Sequence, residues 1–210
     1  DRSLNPSSCW RRQTLWNLFC RATGLTGLFR GSGVMNAEAY AGWKRDTERD
    51  VDIVSGCFFL MTRELWDRLE GFDESFFMYG EEADLCLRAR ALGARPRVTP
   101  HATIIHYGGA SEQVRGEKLV RLFSAKVGLL RRHWHPGLVW YGVWMHKLWA
   151  LSRMIALWVL AKAHPGRWGT GAEAWKTVWA RRRDWVGAIQ NTRDVQPGAT
   201  DEAPSEGHAA

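Results

Sequence analysis

The sequence predicts an α/β fold followed by a helical, tryptophan-rich extension. One observation is the order of patterns over residues 51–106, which is strand, helix, helix, strand and suits helices packed on strands. A second is that three long helical patterns follow Gly109, at about 112–133, 137–163 and 171–190. With 210 residues and 45% hydrophobic content, we expect one ordinary core and a helical appendage.

In the first half of the chain, the sequence patterns that predict secondary structure are weak before residue 51 and clear after it. The apolar run Leu15–Phe19 predicts a helix, and the glycine-containing segments after it predict a long connection. Residues Val51–Met61 are rich in β-branched and aromatic types, so they predict a buried strand. Gly56 inside it indicates a close approach of the backbone to another group, or simply a β-bulge.

Two helices with local start and stop signals follow this strand. Thr62 is placed to cap a helix that runs to about Leu69 and stops at Gly71. A second helix is expected from about Glu81 to Leu92, ended by Gly93, with its buried face formed by Leu85, Ala89 and Leu92. Two short strands or extended segments are then expected: Arg95–Pro100 and Ala102–His106.

Composition narrows the possible partners and compartments. The net charge of +7 and the isoelectric point near 9.6 suit nucleic acid or an anionic membrane surface. No nucleic-acid-binding module is recognisable, so nucleic acid is not expected as a partner. The four cysteines, at positions 9, 20, 57 and 86, lack zinc-site spacing and predict reduced cytosolic thiols. The chain opens on Asp1 without a signal peptide, which indicates a piece of a longer protein.

The densest chemical signal is a group of five carboxylates within twelve residues, interleaved with aromatic side chains. The carboxylates are Asp73, Glu74, Glu81, Glu82 and Asp84. Aromatic walls around acids exclude water and shift pKa values. On the predicted helix Glu81, Asp84 and Arg88 share one face, and Glu82 lies about 100° away. A structural alternative is that the acids only complement a helix N-terminus.

These motifs resemble a known enzyme family in order and spacing. They are Gly71-Phe-Asp-Glu, Phe76-Phe-Met-Tyr, Glu81-Glu-x-Asp-Leu-Cys-Leu-Arg88 and Ile105-His106. They resemble the second half of family 2 glycosyltransferases, above all the bacterial rhamnosyltransferase-like group that builds cell-surface polysaccharides. The likeness is dense from about Val51 to Ser111. It implies an inverting enzyme whose GT-A fold joins a Rossmann-like nucleotide-binding half to an acceptor-binding half.

The resemblance assigns roles to individual residues. Glu82 takes the position of the catalytic base, within an acidic motif that also contains Glu81 and Asp84. The positions expected to bind substrate are Gly56, Asp73, Tyr79 and Arg88. His106 takes the position of a histidine that helps to hold a divalent metal, Mg²⁺ or Mn²⁺, near the nucleotide diphosphate. From the residues alone, the favoured interpretation is that His106 forms only local hydrogen bonds, and the ligand role comes from the resemblance.

Two departures from the family pattern stand out. The acidic pair is usually Glu-Asp and here is Glu81-Glu82, which places the base one methylene further from the backbone. Glu70 replaces the first of two glycines that often precede Phe-Asp-Glu. The family's Asp-x-Asp metal motif is expected upstream, no such motif occurs in residues 1–50, and Asp50 and Asp52 are in the wrong order for that role. The donor-binding half therefore lies outside this chain, which is not expected to turn over alone.

The last third combines tryptophan with Lys and Arg, which favours a peripheral dock on the inner face of the plasma membrane. The alternative is that the tryptophans form the core of a helical bundle. The predicted organisation is a connecting region (1–50), an acceptor-side catalytic half (51–111), a membrane-associating helical extension (112–190) and a disordered tail (191–210). The expected function is sugar transfer from a nucleotide-sugar donor to a lipid-linked or polysaccharide acceptor. The competing function is a non-catalytic peripheral membrane module.

Overall fold

The protein is a mixed α/β structure with a helical C-terminal region. The computed structural model describes residues 6–76, 78–106 and 114–187. The predicted tail at 191–210 lies outside these residues. Two short 3₁₀ helices occur at Pro6–Ser8 and Ala37–Ala39.

Two small antiparallel sheets tie distant parts of the chain together. Strand β1 (Cys9–Trp10) pairs with β3 (Ile53–Val54), and β2 (Arg49–Asp50) pairs with β4 (Arg97–Val98). The described residues contain no parallel sheet, so they do not by themselves form the layered core that the sequence predicts.

The strand predicted over Val51–Met61 is wrong in extent. Only Ile53–Val54 is a strand, because β1 offers two residues for pairing and the chain turns from Gly56 onward. Residues 102–106 also form no strand, since no neighbouring segment pairs with them. Composition alone overestimates strand length here because the β-forming residue types are present without a partner edge.

The helices of the first half follow their local signals. They are α1 (Leu15–Ala22), α2 (Leu25–Leu28), α3 (Arg63–Arg68) and α4 (Glu81–Ala91). Thr62 caps α3 by accepting a hydrogen bond from the Leu65 amide at 3.2 Å, as predicted. Gly93, at φ 90°, ends α4 as predicted, but Leu92 is exposed rather than buried because the chain reverses there.

The C-terminal region is formed by long helices. They are α5 (Arg115–His133), α6 (Pro136–Ala163), α7 (Pro165–Ala180) and α8 (Arg182–Gly187). The third helix, predicted at 171–190, begins earlier because Pro165 suits a first helical turn. It also breaks at Arg181, and residues 188–190 lie outside the described part of the chain.

The tryptophans of this region fall into two groups. Trp149, Trp175 and Trp185 pack around Phe123 in the largest core cluster, which confirms the bundle-core interpretation for these three. Trp140 and Trp144, in contrast, are exposed on α6. Among the helices that the structure describes, none combines the length and the apolar character required to cross a membrane.

Helix α4 lies where the two halves of the fold meet. Ala83 and Cys86 of α4 pack with Ile53 of β3 and Leu129 of α5. On its other side Leu85 and Ala89 pack under α3, against Leu69 and other apolar residues. The N-terminal turn of α4, which carries the acidic motif, is thus held against both halves of the chain.

Candidate active site

A cleft of about 1080 Å³ opens between the N-terminal segment, the first turn of α4 and helix α5. Its wall includes three of the residues that the resemblance singles out: Tyr79, Glu82 and His106. Six cationic side chains and two carboxylates also line it. They are Arg11, Arg12, Arg21, Arg90, Lys118 and Lys126, with Glu38 and Glu82. The cleft is therefore a positively charged space with one of the predicted catalytic acids in its wall.

The Glu82 carboxyl is held at this cleft by the backbone around it. Gly80, at φ 91°, begins α4 in the left-handed region, and its amide donates a hydrogen bond to Glu82 Oε2 at 3.2 Å. Gly56 lies against the same side chain, because a Cβ added there would be 3.3 Å from the Glu82 Cβ. This is the close approach that a glycine at position 56 was expected to allow.

The pKa of Glu82 is raised above its ordinary value, first by burial and then by the negative charge of Glu81. A carboxylate with a raised pKa is a stronger base, and it is suited to take a proton from a substrate hydroxyl. Glu81 itself does not line the cleft. Its Oε2 is buried, and among the described residues no hydrogen-bond partner reaches it.

Asp84 has a different environment, although it is only two residues from Glu82. It is fully buried and contacts Arg88 Nε at 2.6 Å, Arg132 Nε at 2.9 Å and His133 Nε2 at 2.8 Å. Burial opposes ionisation, but the hydrogen bonds from His133 and Arg88 and the nearby charges bring the pKa of Asp84 below its ordinary value. Asp84 does not line the cleft, so the structure gives it an anchoring position.

Two residues predicted to bind substrate belong to the same anchor. The Arg88 guanidinium donates hydrogen bonds to the Leu69 and Gly71 carbonyls as well as to Asp84. Asp73 forms an ion pair with Arg132 at 2.6 Å. These contacts fix the Gly71–Asp73 turn onto α4 and α5. A direct contact of Asp73 or Arg88 with substrate stays a prediction, and neither residue lines the cleft.

Tyr79 and His106 lie where a substrate could meet them. Tyr79 adopts a left-handed backbone at φ 68°, and Lys118 Nζ lies 5.9 Å from its ring centroid. His106 is exposed at the cleft wall. Within the part of the chain that the structure describes, no three or more His, Cys, Asp or Glu side chains come together as a metal-binding group. These residues therefore do not fit a complete metal site, although His106 remains a candidate for one ligand.

Sequence reasoning missed a buried ion cluster at the floor of the cleft. Glu38 contacts Arg21 at 2.8 Å and Lys126 at 3.0 Å. Burial acts against ionisation, but the charges of Arg21 and Lys126 bring the pKa of Glu38 down to about 2. His133, Arg132 and Lys126 are likewise absent from the predicted site, because their partners are 48 to 88 residues distant and no local pattern marks such pairs.

Comparison with known proteins gives partial matches. The chain is 42% identical to the rhamnosyltransferase WbbL of Escherichia coli K12 over 57 residues, which are 27% of this chain and 22% of that protein. It is 32% identical to uncharacterized proteins of Mycobacterium tuberculosis and Mycobacterium bovis over 48% of this chain and 48% of each relative. The matches span less than half the length of these relatives. No protein-family model matches the chain, and no solved structure matches it significantly.

Proposed function

We propose that this chain carries the catalytic-base part of an inverting family 2 glycosyltransferase that acts in cell-surface glycan synthesis. In this proposal, residues 51–111 are the acceptor half of a GT-A domain, and the nucleotide-sugar donor is bound mainly outside this chain. Rhamnose is the first sugar to test, because one partial relative is a rhamnosyltransferase. The proposed acceptor is a lipid-linked or polysaccharide hydroxyl at the inner face of the plasma membrane.

The observation that carries the proposal is the Glu82 carboxyl with its raised pKa in the wall of a basic cleft. In the proposed reaction, Glu82 takes the proton of the acceptor hydroxyl while the hydroxyl oxygen attacks the anomeric carbon. The new glycosidic bond forms as the bond to the nucleotide diphosphate breaks, and the diphosphate leaves with the bonding electrons. The cationic side chains of the cleft suit this departing charge.

A divalent metal belongs to the proposal only in a limited way. His106 would supply a single ligand to it, and the other ligands would come from outside the described residues. The metal would neutralise the charge of the leaving diphosphate. Imidazole binds Mn²⁺ more readily than Mg²⁺, which prefers oxygen ligands, so Mn²⁺ is the metal to test first.

The test is Glu82→Gln in the full-length protein, assayed for transfer from nucleotide sugars to a lipid-linked acceptor. We expect the rate to fall about 10²- to 10⁴-fold, the usual contribution of a general base. The KM for the donor should change little, because Glu82 does not carry the donor-binding charge. Glu74→Gln, at an exposed position of the preceding loop, is the matched control and should keep its activity. Undiminished transfer by the Glu82 variant would remove this residue as the base.

The non-catalytic membrane module remains a second candidate because exposed tryptophans cover one side of α6. It predicts vesicle binding with no transfer from any nucleotide sugar by the full-length wild-type protein. Transfer that depends on Glu82 would exclude it. Neither candidate includes nucleic acid as a partner.

A further inference from the structure

Helix α6 carries an exposed aromatic stripe on the side that faces away from the helical bundle. Its 28 residues place Trp140, Trp144, Ile155 and Trp158 within about 60° of one another around the helix axis. Their exposed fractions are 67%, 59%, 50% and 54%. We call these four residues the outer stripe of α6.

The opposite side of α6 already has its packing partners. Met145 packs with Leu18 of α1 and Leu130 of α5, and Ala150 packs in the core cluster of α5 and α7. The outer stripe therefore does not complete the bundle core. Three tryptophans and an isoleucine on one outward side form more than the scattered apolar residues that are normal on a surface.

The charges around the outer stripe have one sign. Residues 118–172 contain nine Lys and Arg residues and no Asp or Glu. Two of these cations, Lys147 and Lys162, share the helical angle of the stripe, being seven and four residues from Trp140 and Trp158 respectively. Lys162 Nζ lies 3.9 Å from the Trp158 ring centroid, so cation and aromatic ring are presented together.

Charge complementarity selects the occupant of this surface. A second copy of the chain would bring lysine against lysine, since α6 offers no carboxylate for pairing. An anionic lipid surface supplies phosphate groups for the lysines and a headgroup boundary where tryptophan rings are favoured. We propose that the outer stripe of α6 docks on the surface of an anionic phospholipid bilayer, with the helix axis parallel to the membrane plane.

The outer stripe lies away from the cleft. Leu138, which is exposed and lines the cleft wall, is two residues before Trp140 and so about 200° from it around the axis of α6. The Tyr141 hydroxyl donates a hydrogen bond to the Leu15 carbonyl at 3.2 Å, so this other side of α6 is held against α1. Docking through the outer stripe therefore does not cover the cleft, and it does not depend on the proposed transfer reaction.

The test is flotation of the full chain with vesicles of phosphatidylcholine, alone or mixed equally with phosphatidylglycerol. We expect binding to the mixed vesicles, with a blue shift of tryptophan fluorescence, and weak binding to phosphatidylcholine alone. Replacing the three stripe tryptophans by serine (Trp140→Ser, Trp144→Ser, Trp158→Ser) should weaken binding at least tenfold, because ring burial at the headgroup boundary is lost. Leu60→Ser, at an apolar position that is 90% exposed outside the helical region, is the matched control and should bind like wild type.

A second variant tests the charged part of the docking surface and leaves the stripe tryptophans in place. Lys147→Gln with Lys162→Gln should weaken binding to the anionic vesicles about tenfold and leave the unfolding midpoint nearly unchanged. Glu82→Gln should float like wild type, which separates a failure of docking from a failure of the transfer hypothesis. Equal binding to both vesicle types, or unchanged binding by the lysine variant, would overturn the proposal. The proposal would also be overturned if the wild-type chain were a dimer in solution and the tryptophan variant a monomer, because the stripe would then bind a second copy of the chain.

Discussion

On the cleft side of α4 the pKa of the Glu82 carboxyl is raised, whereas two residues further along the pKa of Asp84 is lowered. Both acids are withdrawn from water. The difference lies in their partners, since Glu82 has a backbone amide and a neighbouring negative charge, and Asp84 has two arginines and a histidine. On one side of the helix, Glu82 lacks a cationic partner to offset its burial and lies open to the cleft. On the other side, the ion pairs of Asp84 hold the fold together.

Asp84→Asn is the change with the largest expected effect on stability. It removes the charge that Arg88, Arg132 and His133 share, and breaking a buried ion pair by removing one partner costs about 3–5 kcal/mol. Urea unfolding at neutral pH measures it. The matched control is Asp67→Asn, which removes an exposed ion pair with Arg63 and should cost less than about 1 kcal/mol. Equal, small losses in both variants would mean that Asp84 does not anchor α4.

The pH dependence of stability gives an independent check on this anchor. Because the pKa of Asp84 is lower in the folded state, its contribution is present above the ordinary aspartate pKa and is lost as pH falls through the lowered value. Glu38, with a pKa of about 2, adds to the same acid loss. The difference between wild type and Asp84→Asn isolates Asp84, and it should shrink as the solution is acidified.

The two sides of α4 also differ in how well the sequence predicts them. The bounds of α3 and α4, the Thr62 cap and the Gly93 terminator depend on local patterns, and these expectations agree with the structure. A close approach at Gly56 was one of two expectations for that residue, but the sequence did not identify Glu82 as the group that approaches it. The anchor could not be predicted, because His133 is 49 residues from Asp84 and shares no motif with it. Because the sequence does not show these contacts, Asp84 could not be distinguished from a catalytic acid on sequence alone.

The lengths of the strands, and which tryptophans are buried and which exposed, could not be predicted from the sequence for a related reason: both depend on distant parts of the chain. Strand length depends on the edge that is available for pairing, and β1 offers Ile53 and Val54 only two residues. Whether a tryptophan lies in a core or on a surface depends on which helices pack together, and the sequence of α6 alone does not state this.

Glu82→Gln should raise the free energy of unfolding at neutral pH, whereas Asp84→Asn should lower it. Because the pKa of Glu82 is raised by folding, its favourable contribution is present below the ordinary glutamate pKa and is lost as pH rises through the raised value. Removing the charge should therefore stabilise the protein by about 0.5–2 kcal/mol at neutral pH, as is common when a functional group is neutralised. Urea unfolding should show that this difference in stability between the variant and wild type disappears below the ordinary glutamate pKa. A loss of stability at neutral pH would contradict the inference that the buried Glu82 charge destabilises the folded protein.

Gly56→Ala has the smallest expected effect on stability and tests whether the position of Glu82 matters. The added methyl group would lie 3.3 Å from the Glu82 Cβ, and because rotation of the side chain does not move a Cβ, the backbones at Gly56 and Glu82 must separate by a few tenths of an ångström. The backbone at Gly56 is not left-handed, so stability should change by less than about 0.5 kcal/mol, as at an ordinary surface position. If Glu82 must meet an acceptor hydroxyl at hydrogen-bond distance, transfer by the full-length protein should fall about tenfold. Gly31→Ala, where an added Cβ meets nothing within 4 Å, is the matched control. Equal activity in both alanine variants would mean that the approach of Gly56 serves packing alone.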